Sequence, residues 1–253
     1  MTRIEKNEPV AKEVAALKDE MVQTVKMSGN KKGKFALGCL IFFIAFIVLL
    51  VTGLAWIAAA TGLVRIPVIS GLAYEKPAPA HLVAPGLPLD TKINNDLTAE
   101  VNRRLVAGHG QLADRTITLE LPEDGFTSLL KNLVEESGVK EVKSAGAQIA
   151  VIPNQGLELF LPLADNPQES ALIVWLEVVP DDQGLLNIQI TNLQLGSFSL
   201  PGLLYRPIIE PLIKQNMAQL NSDWGRYATF EDIKYETGQV VVTGSIVVEV
   251  LDL

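Results

Sequence analysis

The chain has few of the residues that most often carry chemistry: one cysteine and two histidines among 253 residues. A single cysteine, Cys39, excludes an internal disulfide, so a folded domain here must be stabilised by packing alone. The histidines, His81 and His109, lie in loop-like surroundings without metal-ligand spacing nearby. The sequence therefore favours a solvated role for both histidines over a functional one.

Motifs of the common enzyme classes are also absent. The sequence contains no G-x-S-x-G, P-loop, G-x-G-x-x-G or H-E-x-x-H pattern. Acidic pairs such as Glu123/Asp124 and Asp181/Asp182 occur, but adjacent carboxylates at helix starts and turns usually act as caps or stay solvated. We therefore predict a protein that is not an enzyme, with no catalytic residues, no metal site and no cofactor.

Charge is unevenly distributed along the chain. Residues 1–34 hold eight Lys/Arg and five Asp/Glu, whereas the remaining residues hold thirteen and twenty-four. The first segment is thus net basic and everything after it is strongly acidic. An acidic region without basic clusters lacks the electrostatic surface that nucleic-acid phosphates require. Nucleic acid is excluded as an expected partner.

One long uncharged run is present, because residues 35–64 contain no charged side chain. A helix of ~20 apolar residues crosses a hydrocarbon core of ~30 Å with every backbone hydrogen bond satisfied. We predict a transmembrane helix over residues 35–60. Cys39 lies inside this run, where we expect a buried membrane residue and not a lipoprotein cleavage site. The predicted anchor residues are Phe35, Phe42, Phe43, Phe46, Leu50 and Trp56, the last at the interface.

The lysines around this run predict its orientation. Four lysines lie between residues 26 and 34, against only Arg65 and Lys76 in the comparable stretch that follows. The positive-inside rule then places the N-terminus in the cytoplasm and the C-terminal part outside, as in a single-pass protein of the cell membrane. A cleaved signal peptide is the alternative, but its apolar core is normally only ~7–15 residues long. The cytoplasmic tail, residues 1–34, is predicted to be either a short amphipathic helix or mostly disordered.

A proline-rich segment follows, over residues 61–89. Its composition favours extended polyproline conformations, so we predict a spacer that either holds the next domain off the bilayer or lies along that domain's surface. The domain itself is predicted over residues 90–253. It begins with a helix whose apolar positions recur every four residues, at Ile93, Leu97, Val101 and Leu105.

The domain is predicted to be α+β. A strand over 116–121 precedes a helix that ends at Gly138, and the period then changes to two. Four strands, over 147–152, 157–163, 172–179 and 186–195, predict an antiparallel meander. A slip in the apolar phase of the last strand predicts a β-bulge near Thr191-Asn192. The helix that ends at Gly138 has an apolar stripe that consists of Phe126, Leu129, Leu130, Leu133 and Val134.

A third helix of the domain is predicted over 203–220, kinked near Pro207 and Pro211, followed by strands over 228–235 and 240–251. The expected architecture is one bent antiparallel sheet packed on two or three helices. This third helix carries apolar residues on more than one stripe, so either the protein core or the acyl chain of a ligand must enclose it. Candidate groove residues, chosen from apolarity and position, are Trp175, Phe198, Ile208, Leu212 and Ile213.

The segment Asn192-Leu193-Gln194-Leu195-Gly196-Ser197-Phe198-Ser199-Leu200-Pro201, followed by an apolar helix and two closing strands, resembles the YpmS-like family of bacterial membrane-anchored proteins. The anchor and the Asn-containing stretch Glu100-Val101-Asn102 agree with that family, whereas the long N-terminal tail and the proline-rich spacer depart from it. The resemblance covers most of residues 90–253. It implies an extracytoplasmic fold in which a curved sheet wraps a helix and leaves a lipid-sized groove, and it supplies no catalytic residues.

Together these features predict a membrane-anchored, extracytoplasmic, non-catalytic domain of the bacterial cell envelope. The expected partners are the lipid bilayer and a lipid or another apolar ligand held in a groove between sheet and helix. The alternative is a structural or signalling module that binds an envelope protein or polymer. An exposed apolar patch in place of an enclosed groove would favour that alternative.

Overall fold

A computed structural model describes residues 40–89, 91–93, 95, 98–99, 116–224 and 228–246. The chain divides into two compact units, Met1–Ala55 and Trp56–Leu253. Several predictions lie outside the described residues: those for the cytoplasmic tail, for the predicted strand beyond residue 246, and for individual side chains. These side chains are Phe35, Cys39, Leu97, Val101, Leu105 and His109.

Helix α1 spans Leu40–Ala60 and is the one helix in the described part that is long and apolar enough to cross a membrane. Its 21 residues extend over about 31 Å at 1.5 Å per residue, which matches the hydrocarbon thickness of a bilayer. The predicted anchor side chains that can be examined are all exposed: Phe42, Phe43, Phe46, Leu50 and Trp56. A helix of this length, composition and exposure suits a hydrocarbon environment.

The predicted meander is confirmed as a five-stranded antiparallel sheet with the order β2-β3-β4-β5-β6. Its apolar runs are separated by turns, which explains why consecutive strands pair with one another. A short added strand, β6, pairs with the end of β5. The strands are β2 Gln148–Ile152, β3 Gly156–Pro162, β4 Ala171–Pro180, β5 Leu186–Leu195 and β6 Phe198–Ser199.

The predicted bulge is present in β5. Trp175 pairs with Asn192 and Leu176 with Ile190, so that Thr191 is the extra residue. The Thr191 hydroxyl donates to the carbonyl of Trp175 at 3.2 Å. Because a bulge shifts the alternation of a strand, Ile190 and Leu193 both reach the cluster around Val174 and Tyr205 although they are three residues apart.

The remaining strands form a second, three-stranded antiparallel sheet with the order β1-β8-β7. The prediction of a single bent sheet is therefore wrong, because the strands form two separate sheets. Tyr235 and Val240 of the second sheet pack on Val151 and Leu157 of the first, and this contact forms the main core. The strands are β1 Thr116–Pro122, β7 Ala228–Glu236 and β8 Gln239–Ile246.

Three further helices have both ends within the residues that the structure describes. Helix α2 spans Ile69–Ala73, α3 spans Glu123–Ser137 and α4 spans Gly202–Trp224. Helix α3 ends where predicted, at Gly138, which adopts the left-handed conformation with φ of 64°. Helix α4 contains Pro207 and Pro211 within its length. The described residues 91–93, 95 and 98–99 are also helical.

Helix α3 covers the free edge of β2. The Thr127 hydroxyl accepts the N–H of Ile149 at 3.0 Å and donates to the carbonyl of the same residue at 3.1 Å. A carboxylate oxygen of Glu123 accepts the N–H of Val151 at 3.0 Å. An uncovered edge strand exposes unpaired backbone groups that promote aggregation, and these three bonds satisfy them.

The buried face of α3 differs from the apolar stripe read from the sequence. Its buried residues are Gly125, Thr127 and Ser128, whereas Leu129 and Leu133 are 42% and 54% exposed. Short side chains let the helix approach β2 closely enough for hydrogen bonding, which a row of leucines would prevent. The requirement to satisfy a strand edge has therefore decided the orientation of the helix.

The proline-rich segment lies along the domain surface, the second of its two predicted alternatives. The N–H of Ala80 donates to the buried carboxylate of Glu158 at 2.7 Å. The N–H of Gly86 donates to the carbonyl of Asp124 at 3.1 Å. His81 contacts the Glu123 carboxylate through Nε2 at 2.9 Å. Prolines suit this segment because an extended strap needs few donors of its own.

We expect Thr127→Val to destabilise the domain by about 1–3 kcal/mol, because it leaves the buried N–H and carbonyl of Ile149 without a partner. Thr118→Val is the matched control, since Thr118 is exposed on a strand and valine suits that position. Thermal unfolding of the full chain in detergent micelles measures both. Equal melting temperatures for the two variants would contradict the role assigned to Thr127.

Candidate functional site: an apolar cavity between the sheets

A cavity of about 640 Å³ is lined by both sheets and by helices α3 and α4. Its size falls within the range of small-molecule sites, roughly 300–1,000 Å³. The described residues that line it are Leu89, Ile93, Leu119, Leu121, Phe126, Leu129, Leu157, Val178, Leu186, Ile188, Met217, Phe230, Ile233, Tyr235, Val240 and Val242.

Strand register explains how these residues come to share one wall. In the three-stranded sheet, Val242 of β8 lies between Leu119 of β1 and Ile233 of β7. Val240 likewise lies between Leu121 and Tyr235, which gives a second apolar row across the same face. The opposite wall comes from β4 and β5, where Val178 pairs with Ile188. Period-two alternation thus places one side chain from each strand in every row.

The described lining offers no charge and one polar group, the Tyr235 hydroxyl. That hydroxyl donates to the carbonyl of Val178 at 2.8 Å and accepts the N–H of the same residue at 2.6 Å. Burial raises the pKa of Tyr235 above its ordinary value of 10.0, so the group stays neutral at physiological pH. The cavity therefore suits hydrocarbon and not a charged or strongly polar group.

The size of the cavity has an energetic consequence. A dry apolar cavity of about 150 Å³ holds benzene, so 640 Å³ has room for roughly 20–25 carbon atoms. If a space of that volume were closed and empty, lost packing at ~24 cal/mol per Å³ would cost about 15 kcal/mol. That equals the whole net stability of an ordinary domain, about 5–15 kcal/mol. Occupation by an apolar group would remove this cost.

The five predicted groove residues do not line this cavity. Trp175 lines a separate depression of about 280 Å³, together with Thr191 and Asn192. Ile208 and Leu212 are exposed on α4. Phe198 and Ile213 are half-buried. Helix α4 contributes Met217 instead, because its inward stripe runs through Tyr205, Ile209, Ile213 and Met217.

The lining residues that sequence reasoning missed come mainly from strands. The strands alternate in the way expected of ordinary core strands at Leu119, Leu121, Val240 and Val242. Nothing in the local sequence distinguishes a side chain that lines a cavity from one that is packed in the core. One signal was available. The last two strands carry apolar side chains at alternate positions, and such a face must be covered by another layer or by a ligand.

Polar clusters elsewhere serve the fold. Among the residues that the structure describes, no group of three or more His, Cys, Asp or Glu residues is placed to hold a metal ion. Glu123 accepts a backbone N–H and contacts His81, as given above. Lys76 and Glu169 form an exposed ion pair that lowers the pKa of the Glu169 carboxyl through the hydrogen bond with Lys76.

No protein-family model, no curated protein and no solved structure matches this chain. The resemblance to the YpmS-like family therefore stays a prediction. The fold and the site define a class: an α+β protein with one N-terminal helix able to span a membrane and an apolar cavity between two sheets. Function must be inferred from that cavity.

The raised pKa of Tyr235 predicts a loss of stability in alkali. Above pH ~10 the unfolded chain releases the phenol proton while the folded chain retains it, so the folded state binds more protons and its stability falls as pH rises. Tyr235→Phe should flatten this fall and also lower stability at neutral pH by about 1–3 kcal/mol, because the Val178 groups lose their partner. Denaturation between pH 8 and 11 measures both effects, and an unchanged alkaline slope would contradict the assignment.

Proposed function

We propose that this chain is a single-pass protein of the bacterial cell membrane whose extracytoplasmic domain binds the hydrocarbon part of a lipid without catalysing a reaction. One observation carries the proposal: a cavity of about 640 Å³ whose described lining is apolar and uncharged. Space for roughly 20–25 carbon atoms fits one long acyl chain. A non-catalytic binder of this kind needs no acid, base or nucleophile in its site.

The chemistry of the lining limits the ligand class. Because no described lining residue is charged, a phosphate or carboxylate headgroup has no partner inside and must stay at the mouth, in water. Each buried methylene contributes about 0.8 kcal/mol, so the chain and not the headgroup supplies the affinity. The proposed ligand is thus a lipid with one long acyl chain, selected by length more than by headgroup.

Val242 provides a sharp test. We expect Val242→Phe, which places an aromatic ring in the cavity, to remove room for about two methylene groups and weaken acyl-chain binding about tenfold. Val241→Phe is the matched control. Val241 pairs with Glu120 and Lys234, which are both exposed on the opposite face.

The measurement is photocrosslinking. A fatty acid with a photoreactive group on its tail is added to the full chain in lipid nanodiscs, and crosslinked peptides are identified by mass spectrometry. Crosslinks on β5, β8 and α4 are expected for wild type and for Val241→Phe, and fewer for Val242→Phe. Crosslinks confined to α1 in all three proteins would refute the binding site.

The alternative, a structural or signalling module that binds an envelope protein, draws support from one observation. Leu204, Ile208 and Leu212 form an exposed apolar row on α4, and such a row is a common protein-binding surface. The cavity favours lipid binding, because its apolar described lining suits an acyl chain, whereas a protein partner on α4 would leave it unoccupied. Crosslinking of α4 to another envelope protein, with an empty cavity, would reverse this preference.

The proposed orientation has its own test. In a Cys39→Ser background, we expect a cysteine at Gln183, in an exposed turn of the domain, to react with a membrane-impermeant maleimide on intact cells. A cysteine at Ser28, in the lysine-rich tail, should react only after the cells are permeabilised. The reverse pattern would show that the domain is cytoplasmic and would overturn the proposed location.

A further inference from the structure

The segment that follows α1 forms a closed loop on the domain. The N–H of Ser197 donates to the carbonyl of Ala60 at 2.8 Å, at the start of the loop. The Ser197 hydroxyl accepts the N–H of Glu75 at 2.6 Å and donates to its carbonyl at 2.8 Å, at the end of the loop. Both ends of the segment 61–74 are therefore hydrogen-bonded to Ser197, through Ala60 at one end and Glu75 at the other.

The start of this loop is packed tightly. Buried Ser170 donates from Oγ to the carbonyl of Thr61 at 2.6 Å. A Cβ added to Gly196 would lie 2.3 Å from that same carbonyl oxygen. Gly196 also has φ of 61°, which glycine adopts without strain. The end of α1 and the β5–β6 turn are thus held in direct contact.

The loop presents apolar side chains to solvent. Val68 is 81% exposed and Leu72 is 75% exposed, with Leu63 and Val64 about half exposed. Val68 has φ of 71°, and the N–H of Ile69 donates to the carbonyl of Pro67 at 2.9 Å, which defines a tight γ-turn. A β-branched residue adopts such a turn at a cost, so Val68 is held outward against its backbone preference.

The first turn of α4 presents a second apolar group. Leu203 is 88% exposed and Leu204 is 58% exposed. Leu203 lies six residues after Ser197, so an extended chain would place it no more than about 21 Å away. We name Leu63, Val64, Val68, Leu72, Leu203 and Leu204 the rim. All six belong to segments that begin at Ser197 or at its hydrogen-bonded neighbour Ala60.

Charge sets the rim apart from the rest of the acidic region. Residues 61–74 contain no aspartate or glutamate and one arginine, Arg65. Residues 197–209 also contain no acid and one arginine, Arg206. Carboxylates border these segments, because Glu210 lies 3.9 Å from Arg206 and Glu141 and Asp165 line a depression together with Leu63. The exposed side chains of the rim itself are apolar, and such a surface is complementary to a phospholipid interface, where arginine extends to the phosphates.

We propose that the rim inserts into the outer interface of the bilayer and seats the domain on the membrane. The inference rests on the proposed membrane anchoring of α1. A helix of 21 residues crosses the hydrocarbon within its own length, so Ala60 emerges at the interface. Ser197, which is hydrogen-bonded to Ala60, lies at the same level, and the exposed leucines and valines of the rim have lipid within reach.

Site-specific fluorescence in vesicles tests the rim. The full chain, in a Cys39→Ser background, is labelled with bimane at Val68→Cys, at Leu203→Cys, at Leu50→Cys in α1 or at Gln183→Cys. Each protein is reconstituted into phosphatidylcholine vesicles with and without brominated acyl chains. Gln183 is the aqueous reference. It lies just before Leu186, the first residue of β5, and an extended strand places Leu186 about 30 Å from Leu195, next to the rim. Circular dichroism shows whether each protein is folded.

We expect bromolipid quenching and a blue-shifted emission at positions 50, 68 and 203, and neither at position 183. If bimane at position 50 is quenched but bimane at position 68 or at position 203 is not, the rim proposal is overturned while α1 remains a membrane anchor. Absence of quenching at 50 would overturn the anchor, and the rim proposal with it. Quenching at 183 as strong as at 68 would also overturn the rim, because the contact would then be unspecific.

Discussion

Strand β2 depends on helix α3 for the hydrogen bonds that its free edge lacks, and much of the domain depends on that contact. Thr127 satisfies both backbone groups of Ile149, and Glu123 satisfies the N–H of Val151. Helix α3 follows β1 directly, so the same contact ties the three-stranded sheet to the five-stranded one. The Tyr235 hydroxyl adds a direct link, since it bonds both backbone groups of Val178 across the two sheets.

The separation of the sheets explains why a cavity exists at all. Tyr235 and Val240 pack directly on Val151 and Leu157, which closes one part of the space between the sheets. Around Val174, Leu193 and Tyr205, helix α4 closes another part. Leu157, Tyr235 and Val240 belong to the first cluster and also line the cavity, together with Leu186, Ile188 and Met217. The cavity is therefore continuous with the core, where close packing on one side leaves space on the other.

Local patterns predicted most of the elements. The switch from period 3.6 to period two marked the meander, and the phase slip near Thr191 marked the bulge that the register contains. Pairing between distant segments was not predictable in this way. Thr116 pairs with Ser245, and alternation in a strand identifies its apolar face without identifying its neighbour. One sheet was therefore expected where two are present.

The site was harder to predict than the fold, for a physical reason. A cavity is a mismatch in volume between side chains of several elements, and no single stretch of sequence contains it. Three of the five predicted groove residues came from the apolarity of α4, and two of these, Ile208 and Leu212, are exposed. The orientation of α3 was missed for a related reason: the hydrogen-bonding requirement of β2 outweighed the leucine stripe, and that requirement belongs to another segment.

The strap formed by residues 75–88 fastens the chain that follows α1 to the surface of the domain. Its backbone is held at Ser197, Glu158, Gln148 and Asp124 in succession, so the tether has no slack to release. If α1 is anchored in a bilayer as proposed, a strap fastened in this way keeps the domain beside its own membrane. Delivery of a ligand to a distant membrane would then need either a relay through other proteins or the peeling of the strap from its anchoring points.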